Sequence, residues 1–197
     1  MRKTAVGFLF FLLFAGPSAW AQRGAYTRPA DLDYIVQQAE IILRGHVVSA
    51  SVEPHPQFSA LQTVVVTVKV DKVIKGQAQS THTFRQFIWD VRDSADAAGY
   101  RKADELLLFL NPPSEYGLTS PVGLEQGRFR IERDAQGHRF AINGRGNTAL
   151  FEQVAEKASS RGIVFSRQVQ SMLTKRAGRV PLETLEEAVQ VLAGGGR

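Results

Sequence analysis

Four histidines, His46, His55, His82 and His138, offer the most versatile chemistry in the chain. A zinc site gathers its ligands at short spacings, so that they fall on one ion. These four are scattered, no His-x-x-x-His pair links them, and there is no cysteine. No metal and no cofactor is expected. His46 and His82 fall in strands and would meet only if those strands paired in register. A serine nucleophile needs a base and an orienting acid. No Gly-x-Ser-x-Gly elbow occurs, and Ser120 sits in a turn, where serine bonds the backbone. Asp104-Glu105 comes closest to a carboxylate pair. Neighbours along a strand point to opposite faces, so these two cannot share a substrate. They read as charged gatekeepers before an aggregation-prone strand. Gly144-Arg145-Gly146 is too short for a phosphate loop. No catalytic set emerges, and the chain is not expected to be an enzyme.

Binding is the chemistry that remains. Trp89, Tyr100 and Tyr116 fall at strand ends or in loops, where aromatics serve as binding anchors or plug the end of a barrel. Arg128 and Arg130 share the outer face of one hairpin arm, and Arg139 joins them from the other. Such a patch suits an anionic polymer. Single-stranded nucleic acid would want aromatics interleaved on that face. Phe129 and Phe140 share the core's parity instead, so no nucleic acid is expected.

The elements that must position these residues are mostly strands. Leu106 to Leu110 is a short apolar run between Asp104-Glu105 and Asn111-Pro112-Pro113, which reads as a strand covered on both faces. Ile41 to Val52 is an earlier strand. There Ile41, Leu43 and Val47 share a face with Gly45, and Arg44 and His46 take the other. Gly45 marks a bend or bulge, and the switch to Val48, Ala50 and Val52 fits one. Leu61 to Ile74 alternates Val64, Val66, Val68 and Val70 against Thr63, Thr67, Lys69 and Asp71, the pattern of a half-buried antiparallel strand. Thr81 to Trp89 follows, then an irregular loop from Asp90 to Ala103. Beyond the central strand comes a turn-rich excursion from Pro112 to Gly123. Gly127 to Glu132 and His138 to Ile142 form a hairpin around Asp134 to Gly137, with Phe129, Phe140 and Ile142 inward.

Helical spacing marks Ala30 to Glu40 near the start. It also marks Thr148 to Ser159 (cap Asn147), Ser166 to Ala177 (cap Ser166) and a last helix opened by Pro181. The fold class expected is mainly β (α+β): a small antiparallel barrel with about three C-terminal helices packed on it.

Met1-Arg2-Lys3, an apolar run to Ala15 and Ala19-Trp20-Ala21 make a secretory signal peptide cleaved after Ala21. The 197 residues then lose 21, and the +5 charge loses Arg2 and Lys3, leaving 176 residues at +3. The expected organisation is a signal peptide at 1–21, a short helix and β domain at 22–146, and a helical segment at 147–197. The destination is the periplasm or the medium, with no membrane span after cleavage.

One resemblance joins these segments. Ala39-Glu40-Ile41-Ile42-Leu43-Arg44-Gly45-His46-Val47-Val48 is followed by Lys72-Val73-Ile74-Lys75-Gly76, then Glu105-Leu106-Leu107-Leu108-Phe109-Leu110 and Gly127-Arg128-Phe129-Arg130-Ile131. This order resembles secreted bacterial proteins whose OB-like barrel is similar to the netrin and tissue-metalloproteinase-inhibitor module. The resemblance implies a five-stranded, partly open barrel. Inhibitors of that module reach a catalytic zinc through an N-terminal cysteine; this chain, starting at Gln22 without cysteine, lacks that route.

The functional expectation is an exported, non-enzymatic binding or accessory module whose partner is another exported protein. Two alternatives stand beside it: an envelope-associated hydrolase with an unrecognised site, and a binder of anionic polymer through the arginine face.

Overall fold

A computed structural model describes residues 28–88 and 90–194, with the side chains of residues 91 and 92 excepted. The expected signal peptide and Trp89 lie outside the described residues. Seven strands form one antiparallel sheet in the order β3-β2-β1-β4-β5-β6-β7. They are β1 (Ile41–Pro54), β2 (Gln62–Lys75), β3 (Thr81–Phe87), β4 (Glu105–Leu110), β5 (Arg128–Arg133), β6 (Arg139–Asn143) and the two-residue β7 (Val180–Pro181). Among the described residues four α-helices accompany them: α1 (Leu32–Gln38), α2 (Val154–Ser160), α3 (Arg167–Leu173) and α4 (Leu182–Gly194). The class is α+β. The sheet does not close into a barrel, which corrects the barrel expectation: β3 and β7 are its two edges and do not pair with each other.

β4 lies in the middle of the sheet, and all six of its residues are buried. Alternation divides it between two cores. Leu107 and Phe109 join Ile42, Phe129, Ala141 and the apolar stripes of all four helices. Leu106, Leu108 and Leu110 join Leu43, Val47, Val64, Val66, Val68 and Phe84 on the opposite face. Each fully buried Leu or Phe side chain contributes about 1.5–3 kcal/mol. A strand buried on both faces therefore carries a large share of the stability, as its unbroken apolar sequence requires.

The long β1–β2 hairpin slips register three times. Ile42 pairs with Lys75 and Leu43 with Val73, leaving Ile74 extra. Arg44 pairs with Lys72 and Gly45 with Val70, leaving Asp71 extra. Val47 pairs with Val68 and Ser49 with Thr67, leaving Val48 extra. The last is the bulge expected beyond Val47; the other two are new. Each bulge bends the hairpin and re-aims the side chains that follow it.

Three expectations change with the register. β6 places Ala141 and Asn143 opposite Ile131 and Phe129, on the helix-covered face. Phe140 and Ile142 therefore point the other way, and Arg179 lies over the Phe140 ring with its guanidinium carbon 4.6 Å from the ring centre. The hairpin closes at the Arg133–Arg139 pair, and this closure sets the parity. Second, α2 starts at Val154 rather than Thr148. Residues 147–153 instead make tight turns with left-handed backbone at Asn147, Ala149 and Gln153. Third, Asn147 is not a helix cap. It is fully buried, accepts from the Asn143 amide (2.9 Å) and donates to the carbonyls of Ala141 (3.1 Å) and Gly178 (2.9 Å). Ser166 does cap α3, accepting from the Val169 amide at 3.3 Å.

Candidate functional site

The helices cover only part of their face of the sheet. Beyond Ile42, Leu107 and Phe129 the same strands present Arg44, His46, Glu105 and Arg133, with Arg139 from β6. α4 reaches this polar end with Glu183 and Glu186. Glu186 lies one turn after Leu182, on the helix's own buried stripe.

Glu105 is the hub. Its side chain is only 7% exposed and accepts from three guanidinium groups: Arg44 at 3.1 Å, Arg133 at 2.9 Å and Arg139 at 3.5 Å. Arg44 also donates to Glu186 at 2.8 Å, Lys72 to Glu186 at 2.6 Å and Arg139 to Glu183 at 2.8 Å. Burial works against the Arg44 charge, yet the Glu186 and Glu105 carboxylates more than offset it, and its pKa is raised. This network fastens α4 to β1, β2, β4, β5 and β6.

His46 stands at the lip, 43% exposed. Its Nδ1 is 2.8 Å from Asp71 and its Nε2 is 3.9 Å from Glu105. Asp71 arrives there because it is the extra residue of the second bulge. The other histidines go elsewhere. His82 pairs with Val68, whose side chain belongs to the opposite core, and stacks on Phe84 with centroids 6.3 Å apart; burial lowers its pKa. His138 meets Asp134 in the exposed β5–β6 turn. His55 is buried in the β1–β2 loop. The Gln57 amide donates to its Nδ1 (3.2 Å), which leaves Nε2–H to donate to the Tyr116 carbonyl (2.9 Å).

The expected anchors separate. Tyr100 is a core residue, 3% exposed, and donates to Gln86 at 2.9 Å. Burial pushes its phenol up to about 12, against the pull of Arg128. The Asp90-to-Ala103 loop lays Tyr100, Ala97 and Ala98 over the second core. Arg128 packs over the Tyr100 ring with its guanidinium carbon 4.4 Å from the ring centre, and donates to the Ala98 carbonyl and to Glu125. Arg130 is exposed on that same face, near Glu132. Arg139 lies on the other face, so Arg128, Arg130 and Arg139 do not form one patch.

Tyr116 alone of the described anchors faces solvent. It is 48% exposed and meets Phe58, 45% exposed, edge to face with centroids 5.3 Å apart. Phe58 in turn stacks on His55 at 5.2 Å. The Tyr116 loop is tied down on three sides. His55 holds its carbonyl, Ser114 makes the turn, and Thr119 bonds Arg85 of β3.

Asp93, in the loop over the second core, has its carboxyl raised by burial and by the neighbouring Asp90, Asp96 and Glu125 charges, with Arg128 opposing. An acid raised in the folded state favours folding when protonated, so its ionisation at neutral pH costs stability. Asp93→Asn is expected to raise the melting temperature at pH 7 by about 1–2 °C, a small effect because solvent screens the site. The gain should vanish near pH ~3, where the carboxyl is protonated in both states. Melting curves at the two pH values check this.

No protein family, no curated protein and no solved structure matches this chain.

Proposed function

We propose that this chain is an exported, non-enzymatic binding module that docks another exported protein through Phe58 and Tyr116. One observation carries the reading: two large aromatics stand half exposed, packed against each other, on loops already fixed by His55 and β3. An anchor ordered before binding avoids much of the entropy cost of association. Exposed Gln57 and Glu115 adjoin the two aromatics in the chain and exposed Ser114 accepts from the Tyr116 amide, polar neighbours that suit the rim of a protein-binding patch. Most of the residues otherwise suited to chemistry are engaged in holding the fold. The resemblance to the netrin module rests on strand order and names no partner.

The test uses the mature chain as bait in extracts of the exporting cell's envelope and medium. A protein retained by the wild type should bind the Phe58→Ala/Tyr116→Ala variant roughly thirty-fold more weakly, as losing about 2 kcal/mol of hot-spot contact implies. Arg130→Ala should leave retention unchanged. Equal retention by the double variant would refute the surface.

The Asp71–His46 pair is the one feature that favours the hydrolase alternative. A histidine oriented by a carboxylate can act as a base. Among the described residues, however, no hydroxyl lies within hydrogen-bond reach of His46, so a nucleophile would have to be water.

A further inference from the structure

We infer that His46 and Glu105 form a binding site for a divalent transition-metal ion, with Asp71 fixing the imidazole. The first support is convergence. His46, Asp71 and Glu105 come from three different strands, and one ligand atom of each lies within 4.8 Å of the others. The second is the tautomer. A carboxylate only accepts, so the 2.8 Å contact with Asp71 puts the neutral ring's proton on Nδ1. Nε2 then presents a lone pair to Glu105. Two acceptors face each other at 3.9 Å, too far apart for direct contact and about 0.5 Å wider than the ~3.4 Å between two atoms that share a tetrahedral ion about 2 Å from each, a difference that a small side-chain adjustment closes.

The third support is the surrounding shell. Metal-ligating histidines usually donate their second N–H to a carboxylate, and ligating carboxylates are themselves hydrogen-bonded. Asp71 and the three guanidinium groups on Glu105 supply both features. The bulge that turns Asp71 toward His46 is the kind of local irregularity found beside functional sites. Charge is the opposing consideration. Arg44, Lys72, Arg133 and Arg139 balance Asp71, Glu105, Glu183 and Glu186, so a dication enters a neutral cluster rather than an acidic one. Two protein ligands and waters should accordingly hold it less tightly than a closed four-ligand site. An imidazole with a carboxylate suits zinc, nickel or copper rather than magnesium or calcium.

The experiment is calorimetric titration of the tag-free mature chain with Zn2+, with Mg2+ as control, alongside nitrogen NMR of the imidazole. One Zn2+ per chain should bind and move the His46 Nε2 resonance, and Mg2+ should not. His46→Ala, at a half-exposed position, should abolish that binding and leave the fold intact. Asp71→Asn should weaken it by about 10–100-fold. His138→Ala should change nothing. Absence of Zn2+ binding, binding that survives His46→Ala, or an imidazole that carries both protons at pH 7 and ignores Zn2+ would each overturn the proposal. The last would leave His46 as a cation held between two carboxylates.

Discussion

Gly45→Ala is expected to destabilise the protein by about 3 kcal/mol, at the upper end of overpacking effects. A Cβ at this position would stand 2.2 Å from the Lys69 carbonyl oxygen and 2.7 Å from Val68 Cγ1. Lys69 belongs to a paired strand and cannot swing away as a surface side chain would. The cause is close approach of the β2 backbone between the bulges at Asp71 and Val48. For a chain of this size the melting temperature should fall by about 6–12 °C. Thermal unfolding measures it. An unchanged midpoint would mean that the hairpin does not pinch at Gly45, and the placement of Asp71 beside His46 would lose its cause.

Removing the Glu105 carboxylate should be comparably severe. Glu105→Leu leaves Arg44 with Glu186 but strips the acceptor shared by Arg44, Arg133 and Arg139. Breaking a buried ion pair from one side costs about 3–5 kcal/mol, much of it from the charge left without a partner. Glu186 still serves Arg44, so the low end is expected. Arg44→Met should cost a similar amount, because it takes from Glu105 the most buried of its three guanidinium partners and leaves Glu186 with Lys72. The double variant should be more stable than the sum of the two single losses, by about 1–3 kcal/mol of coupling. Urea unfolding of all four proteins gives the number. Simple additivity would show that the two side chains act separately and that the network is not one unit.

Much of the skeleton could be read from residue order. The Leu106-to-Leu110 run, closed by acids and prolines, had to be a doubly covered strand. The valine alternation from Val64 to Val70 matches one core face. The bulge after Val47 showed as a switch of parity, and Ser166 announced α3. The failures share a physical cause: they depend on pairings between segments distant in sequence. Val70-Asp71-Lys72 reads as plain alternation, because a bulge is visible only against the partner strand. The parity of Phe140 and Ile142 turns on where the hairpin closes. Tyr100 reads as a loop aromatic until Gln86 and Arg128 reach it from other strands. Whether the sheet closes depends on its two outermost strands, which no local pattern couples.

The hub could have been anticipated. Glu105 has the parity of Leu107 and Phe109, and Arg44 and His46 have that of Ile42. A carboxylate at core parity needs a cation, and the neighbouring strands carry them. Treating Glu105 only as a gatekeeper overlooked that requirement. Phe58 was hidden by its setting, a loop with two prolines where nothing in the pattern distinguishes an anchor from a spacer.

The most direct test of the aromatic-tip reading is crosslinking in the exporting cell with a photoreactive residue in place of Phe58. A discrete adduct with one exported protein is predicted, suppressed by excess wild-type chain but not by the Phe58→Ala/Tyr116→Ala chain. Val164, 83% exposed in the turn between α2 and α3, provides the control position. No adduct from position 58, or the same adduct from position 164, would contradict the account.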